Sequence, residues 1–315
     1  MMMRKHLQSI AVFFSLAGAA LSANAFELTH NEGSITLPKA PERIATYDLA
    51  VLDSLNALGI QAVGVPQSAY AGTLANFQST ATIGTLFEPD YSALKAVKPE
   101  LIFAGGRSQN AIPELETIAP VATFNTDATD FMASTRHNNL ALAQAFNKTE
   151  KAEALLQQIE ANVSTLADAN RGKTAIVLFT INGNIMAHAP GDRFGYAYEL
   201  TGTTSVLEGS DATGMPATRP EPGSPEAKAL QAEREKTLEN IANANPHWLL
   251  VLDRGAINEG EKTAEATLAQ HKALGQTDAF KNHRVIYLEP NPWYVVTGGL
   301  ANLKHITDEL VAQMR

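Results

Sequence analysis

Thr149-Glu-Lys-Ala-Glu-Ala-Leu-Leu-Gln-Gln-Ile-Glu-Ala-Asn-Val-Ser-Thr-Leu-Ala-Asp-Ala-Asn170 is the stretch on which the architecture turns. Apolar residues at 152, 155, 156, 159, 163 and 166 recur at helical spacing, and no glycine or proline interrupts them. The spacing predicts one continuous helix of about six turns, roughly 33 Å long. With nothing in it to kink, such a segment is a stiff strut rather than a flexible linker.

On both sides of the strut, strand-like and helix-like segments alternate. Before it, residues 43–47, 62–65, 101–104 and 121–124 read as short buried strands, and 50–58, 91–97 and 111–119 as helices. After it, residues 175–181, 185–189, 248–252 and 285–288 read as strands and 300–314 as a closing helix. This alternation means βα units and mostly parallel sheets. The expected fold class is α/β, with two Rossmann-like lobes over residues 26–148 and 171–315 joined by the single helix 149–170. A hairpin-like opening over 26–37 precedes the first lobe. The stretch 208–225, with four prolines and three glycines, reads as a mobile loop.

Composition agrees with two real cores. The chain has 315 residues, 45% of them hydrophobic and 18% charged, with no cysteine, which excludes disordered, collagenous and disulfide-stapled classes. Its 24 Lys plus Arg against 33 Asp plus Glu leave a net charge of −9, so there is no general attraction for nucleic acid or an anionic membrane. Residues 1–25 differ from the rest, with basic Arg4 and Lys5, an apolar run over 10–21 and Ala23-Asn-Ala25 before Phe26. That is the pattern of a secretory signal peptide cleaved after Ala25. Losing Arg4 and Lys5 takes the charge from −9 to −11. No later stretch approaches ~20 apolar residues, and no cysteine is available for a lipid. The expectation is a free, acidic, monomeric protein of the periplasm, not anchored to a membrane.

Enzyme signatures are missing. The eight histidines, at 6, 30, 137, 188, 247, 271, 283 and 305, form no HExxH and no i, i+4 pair, and there is no GxSxG, GxxxxGK[ST] or GxGxxG. A secreted hydrolase or metal-dependent enzyme is the alternative class, and turnover would distinguish it from stoichiometric binding. Three arginines stand out instead. Arg107 follows strand 101–104, Arg254 follows strand 248–252, and Arg193 lies in Pro190-Gly-Asp-Arg-Phe-Gly195 on a turn entering a helix. Ligands of open α/β sheets bind beyond the carboxyl ends of the strands, where these side chains fall. Each arginine could instead pair with a nearby acid such as Asp192 or Asp253. Three together favour an anion site.

These residues carry a resemblance. Ile83-Gly84 leading to Leu94-Lys-Ala-Val-Lys-Pro-Glu-Leu-Ile102, Gly105-Gly-Arg107, Gly191-Asp-Arg-Phe-Gly195, Asn245-Pro246 to Asp253-Arg254, and Trp293-Tyr294 resemble the ferric-catecholate siderophore-binding proteins of ATP-binding-cassette iron importers. The likeness covers essentially the whole mature chain. It implies no catalytic step and no permanently bound cofactor, with Fe(III) carried as part of the siderophore cargo and an inner-membrane permease as partner. It also implies that Arg107, Arg193 and Arg254 surround the ferric complex and that Tyr294 can bind the iron. Docking on the permease would use an acid at the top of each lobe. Glu239 matches the second of these; the first falls on Ser92, with Glu88 and Asp90 near enough to substitute.

The likeness is incomplete in one respect. The family often pairs the tyrosine with a histidine in the loop before the Asn-Pro strand, and residues 208–236 contain none, offering Arg219 and Arg234 instead. Tyr294 is therefore open as iron ligand, hydrogen-bond donor or cleft wall, and Trp293 as core residue or stacking surface. Other cargoes of the same fold, such as ferric hydroxamate or citrate, haem or a cobalamin, also stay open.

Overall fold

The computed structural model describes residues 25–209 and 220–314. All but the last residue of the expected signal peptide, and most of the proline-rich stretch with Arg219, lie outside them. The chain opens on an antiparallel hairpin, β1 (Phe26–His30) with β2 (Gly33–Leu37). A five-stranded sheet follows, made of β3 (Ile44–Thr46), β4 (Gly64–Val65), β5 (Ala81–Thr82), β6 (Leu101–Phe103) and β7 (Val121–Ala122). Its order is β5-β4-β3-β6-β7 and every pair is parallel. The second sheet holds β8 (Thr174–Ile181), β9 (Asn184–His188), β10 (Thr204–Ser205), β11 (Trp248–Asp253) and β12 (Val285–Leu288) in the order β10-β8-β11-β12, with β9 also on β8.

The helices are α1 (Leu49–Leu58), α2 (Tyr91–Ala96), α3 (Ile112–Leu115), α4 (Phe131–Ala145), α5 (Thr149–Ala169), α6 (Tyr196–Thr201), α7 (Pro225–Ala244), α8 (Ala264–Gln270), α9 (Asp278–Lys281) and α10 (Leu300–Gln313). The strut is thus helix α5, 21 residues long, burying Ala152, Leu156, Ile159 and Leu166 on one stripe. The α/β class read from the alternation is the observed one. Both sheets reverse direction of growth near their middle, the first between β3 and β6 and the second between β8 and β11. Such switch points leave a crevice beyond the strand ends.

Strand 185–189 is observed as β9, antiparallel to β8 in an otherwise parallel sheet, because the two-residue turn Asn182-Gly183, both at positive φ, returns the chain directly beside it. Two expectations are corrected. Helix 111–119 is only the single turn α3, preceded by a 3-10 turn over Gly106–Ala111. Residues 225–236 are not loop: Ser224 caps α7 by accepting from Ala227 N at 3.1 Å, and Pro225 sits at its first position, where its missing N–H costs nothing.

The two sheets do not stand apart on their strut. One buried apolar cluster contains Ile44, Leu101 and Phe103 from the first sheet, Leu156 and Ile159 from α5, Val177 and Leu250 from the second, and Leu303 and Leu310 from α10. Helix α10 packs on both α5 and α1. Each half also caps a helix of the other. Glu199 of α6 accepts from Phe131 N at 3.0 Å and Met132 N at 3.1 Å, at the start of α4. Asp53 of α1 accepts from Asn302 N at 2.9 Å, at the start of α10. Both carboxylates satisfy N–H groups that a helix start leaves without partners.

Candidate functional site

Each of the three arginines is aimed by its own local device. Arg107 opens the 3-10 turn after β6, where Gly105 N donates to Ser108 Oγ at 3.1 Å. Arg254 opens an equivalent turn after β11. There Asp253 holds three backbone amides, Gly255 N at 3.0 Å, Thr263 N at 2.6 Å and Ala264 N at 2.8 Å. Arg193 rides a tight turn in which Asp192 Oδ2 accepts from Ala189 N at 3.0 Å and Gly195 N returns to Asp192 O at 2.9 Å. A Cβ on Gly195 would lie 2.4 Å from Ala189 O, so only glycine closes this turn. Asp192 and Asp253, the acids that could have neutralised the arginines, are thus occupied with backbone. Among the described residues none of the three guanidiniums forms an ion pair.

All three converge on one ring. The guanidinium carbons of Arg193, Arg254 and Arg107 lie 4.2, 5.4 and 5.5 Å from the centroid of Tyr294. Arg107 Nη2 donates to the Tyr294 carbonyl at 2.7 Å, and Arg193 Nη1 reaches the phenol oxygen at 3.5 Å. Burial pushes the Tyr294 phenol up, but the charges and hydrogen bonds of Arg193 and Arg254 outweigh it, so the phenol titrates below an ordinary tyrosine. Burial and then the charge of Arg193 lower Arg107, which Tyr294 and Asp48 partly offset; an arginine so placed still stays charged. Three like charges around one phenol repel each other, and the neighbouring Asp48 offsets this only in part.

Aromatic side chains back the wall, and of Phe179 and Phe194 only Phe194 lines the cleft itself. Phe179, at the end of β8, stacks on Phe194 at 5.3 Å and on Tyr294 at 6.0 Å, and Phe194 lies 5.9 Å from Tyr294. His188 stands edge-on to Phe194 at 5.0 Å, with Nδ1 3.7 Å from Asp192 Oδ2, and burial lowers its pKa. The cleft in front, about 460 Å³, is lined by Arg107, Arg193, Phe194 and Tyr294 with Thr126 and Tyr196 beside them. Trp293 reaches the same cleft but is only 2% exposed and stacks on Tyr196 at 5.4 Å, so it backs the floor and offers no free face.

Arg234 belongs elsewhere. It lies on α7 and lines a separate hollow of about 510 Å³ with Asn184, Met186 and His271. That hollow is the larger of the two, yet it holds one guanidinium beside a Glu235–His271 pair at 3.2 Å and no converging set of charges. Arg219 lies outside the described residues. Glu88 and Glu239 are exposed, and Asp90 caps α2 by accepting from Ser92 N and Ala93 N, both at 2.9 Å.

Sequence reasoning missed Phe179, Phe194 and Asp48. Phe194 was adjacent to Arg193 in the quoted turn, and Asp48 follows β3 as Arg107 follows β6, so position at a strand tip was the available signal. Asp48 caps α1 through Ala50 N and Val51 N, and burial raises its pKa against those bonds and the charge of Arg107. Phe179 gave no signal, since one aromatic in an apolar strand reads as core.

Known proteins resemble this chain in sequence and in fold. The profile of the family described as periplasmic binding protein matches residues 44–292. The ferric-anguibactin-binding protein of Vibrio anguillarum is 26% identical over 296 residues, covering 90% of this chain and 86% of its own. The crystal structure of the petrobactin-binding protein of Bacillus subtilis superposes with a TM-score of 0.78 at 23% identity, over 92% of this chain and 99% of that one. The periplasmic catecholate-siderophore binding protein of Vibrio cholerae gives a TM-score of 0.73 at 26% identity, again over 92% and 99%.

Proposed function

From its membership of the periplasmic binding protein family, to which this chain belongs, we propose that it captures an iron(III)-catecholate siderophore in the arginine cleft and delivers it to an inner-membrane importer. The observation that carries the cargo is the set of three arginines around Tyr294, none in an ion pair among the described residues, with Phe194 lining the cleft and Phe179 stacked behind it. A ferric tris-catecholate is a trianion with aromatic faces. Arginine is always charged, more weakly hydrated than lysine, and able to lie against a ring while donating hydrogen bonds. One unit-charge pair at 4 Å is worth ~4 kcal/mol at an effective dielectric of 20, so three arginines offset much of the desolvation of such a ligand. Hydroxamates lack the charge and citrate lacks the rings.

In this reading residues 26–148 and 171–315 are the two lobes, 149–170 the strut between them, and residues 1–25 are removed on export to the periplasm. The protein works as a monomer without catalysis or a resident cofactor, and docks through exposed Glu88 and Glu239. The test is fluorescence quenching of Trp and Tyr by a panel of ferric tris-catecholate, ferric bis-catecholate, ferric dicitrate, ferric hydroxamate and haem. Tightest binding of a catecholate supports the reading. Preference for citrate or a neutral hydroxamate would overturn it.

A further inference from the structure

Tyr294 sits on an unusual piece of backbone. Residues Pro292–Val296 form a single π turn, closed by Thr297 N donating to Pro292 O at 3.0 Å. Thr297 then takes φ +36° with ψ −93°, a positive-φ conformation that a β-branched residue avoids. Nothing in this segment's own sequence favours that geometry over an ordinary helical turn. Neighbours must impose it.

One side chain spans the whole turn. Asn302, 2% exposed on α10, donates from Nδ2 to Pro292 O at 3.0 Å and to Thr297 O at 3.0 Å, the carbonyls at the two ends of the turn. Its own backbone N donates to Asp53 Oδ2 at 2.9 Å. Asp53 is fully buried on α1, in the other half of the chain, and approaches so closely that a Cβ on Gly299 would lie 2.6 Å from it. Beside this tie, Ser54 Oγ accepts from Leu300 N at 3.1 Å, and Asn139 Nδ2 donates to Gly298 O at 3.2 Å. Four residues of the first half and of α10 therefore grip the backbone from Pro292 to Asn302. The Tyr294 ring is left to meet Arg193 and Arg254.

We infer that Asn302 is a positioning residue for the cleft: braced by Asp53 across the two halves, it clamps both ends of the π turn and so fixes the Tyr294 phenol among the three arginines. A tie from the first half to a turn of the second also makes the place of Tyr294 depend on how the halves sit. The inference deepens the reading of the cleft as the cargo site and takes its functional meaning from it, but its test needs no cargo.

The test follows the near-ultraviolet phenolate absorbance of the ligand-free protein against pH, with Tyr294→Phe subtracted to isolate that one phenol. In wild type it titrates below an ordinary tyrosine. In Asn302→Ala the turn loses both clamps, and the titration moves up toward that of an ordinary tyrosine. Asn302→Ser, which can donate only once, moves it in the same direction by less and serves where the alanine variant does not fold. Asp53→Asn keeps an acceptor for Asn302 N and leaves the titration in place. Leu310→Ala, equally buried on α10, lowers stability without moving it. An unmoved Tyr294 titration in folded Asn302→Ala or Asn302→Ser overturns the inference, as does an equal shift in Leu310→Ala. Failure to bind any ferric complex would instead count against the proposed function alone.

Discussion

At the scale of single residues, the cleft is a site of incomplete charge balance. Asp192 and Asp253 lie next in sequence to Arg193 and Arg254, yet Asp253 spends both oxygens on backbone amides and Asp192 turns Oδ2 to Ala189 N and His188. The guanidiniums are left without an ion pair among the described residues, and Asp48 and the Tyr294 phenol offset their mutual repulsion only in part. Replacing any of Arg107, Arg193 or Arg254 by alanine should weaken ferric-catecholate binding by ~1.5–3 kcal/mol, the range for hydrogen bonds to charged groups. Arg107→Ala should also loosen Tyr294, whose carbonyl it holds at 2.7 Å. The quenching titration measures all three, and unchanged affinity throughout would remove the arginines from the site. The motif positions made these residues legible in the sequence. The aromatic partners were not, because a stacking wall depends on which strand ends meet across the cleft, and no local pattern encodes that.

At the scale of elements, α5 was legible because its apolar stripe is long and unbroken, so that local period and tertiary burial demand the same helix. Helix α10 was legible as a helix but not as a second connection. Its Leu303 and Leu310 join a cluster that already contains residues of both sheets, and its first turn is capped by Asp53 from α1. Contacts so distant in sequence leave no periodic trace. The short strands β4 and β7, two residues each, were blurred because their neighbours continue the apolar run without continuing the ladder, and the exposed edge strand β5 carried no apolar run to read. The mechanical consequence goes beyond a stiff strut. Any wide opening of the halves would shear one continuous core and break the caps at both Glu199 and Asp53. Loading should produce only shifts of about 1–2 Å between packed helices, not a hinge closure. Solution scattering of free and loaded protein reads this directly. A fall in radius of gyration of several ångströms would mean that the shared core parts in solution.

At the scale of the whole molecule, local and global charge oppose each other. The net charge is −9 over the whole chain and −11 over residues 26–315, while the cleft gathers three arginines around one phenol. A ferric trianion far from the surface feels the acidic body, and one at the mouth of the cleft feels the guanidiniums. Which field dominates depends on the screening length, roughly 30 Å at 0.01 M salt and 8 Å at 0.15 M. At the lower concentration the repulsion reaches well beyond the cleft and slows encounter. At the higher one it is cut off, while charges within about 5 Å of the bound complex are screened far less. The association rate constant for ferric tris-catecholate should therefore rise with salt over this range, the reverse of ordinary steering between opposite charges, while dissociation changes little. Stopped-flow quenching across a salt series measures both. If association slows steadily as salt is added, the cleft attracts its cargo at every distance, and the acidic surface has no part in the encounter.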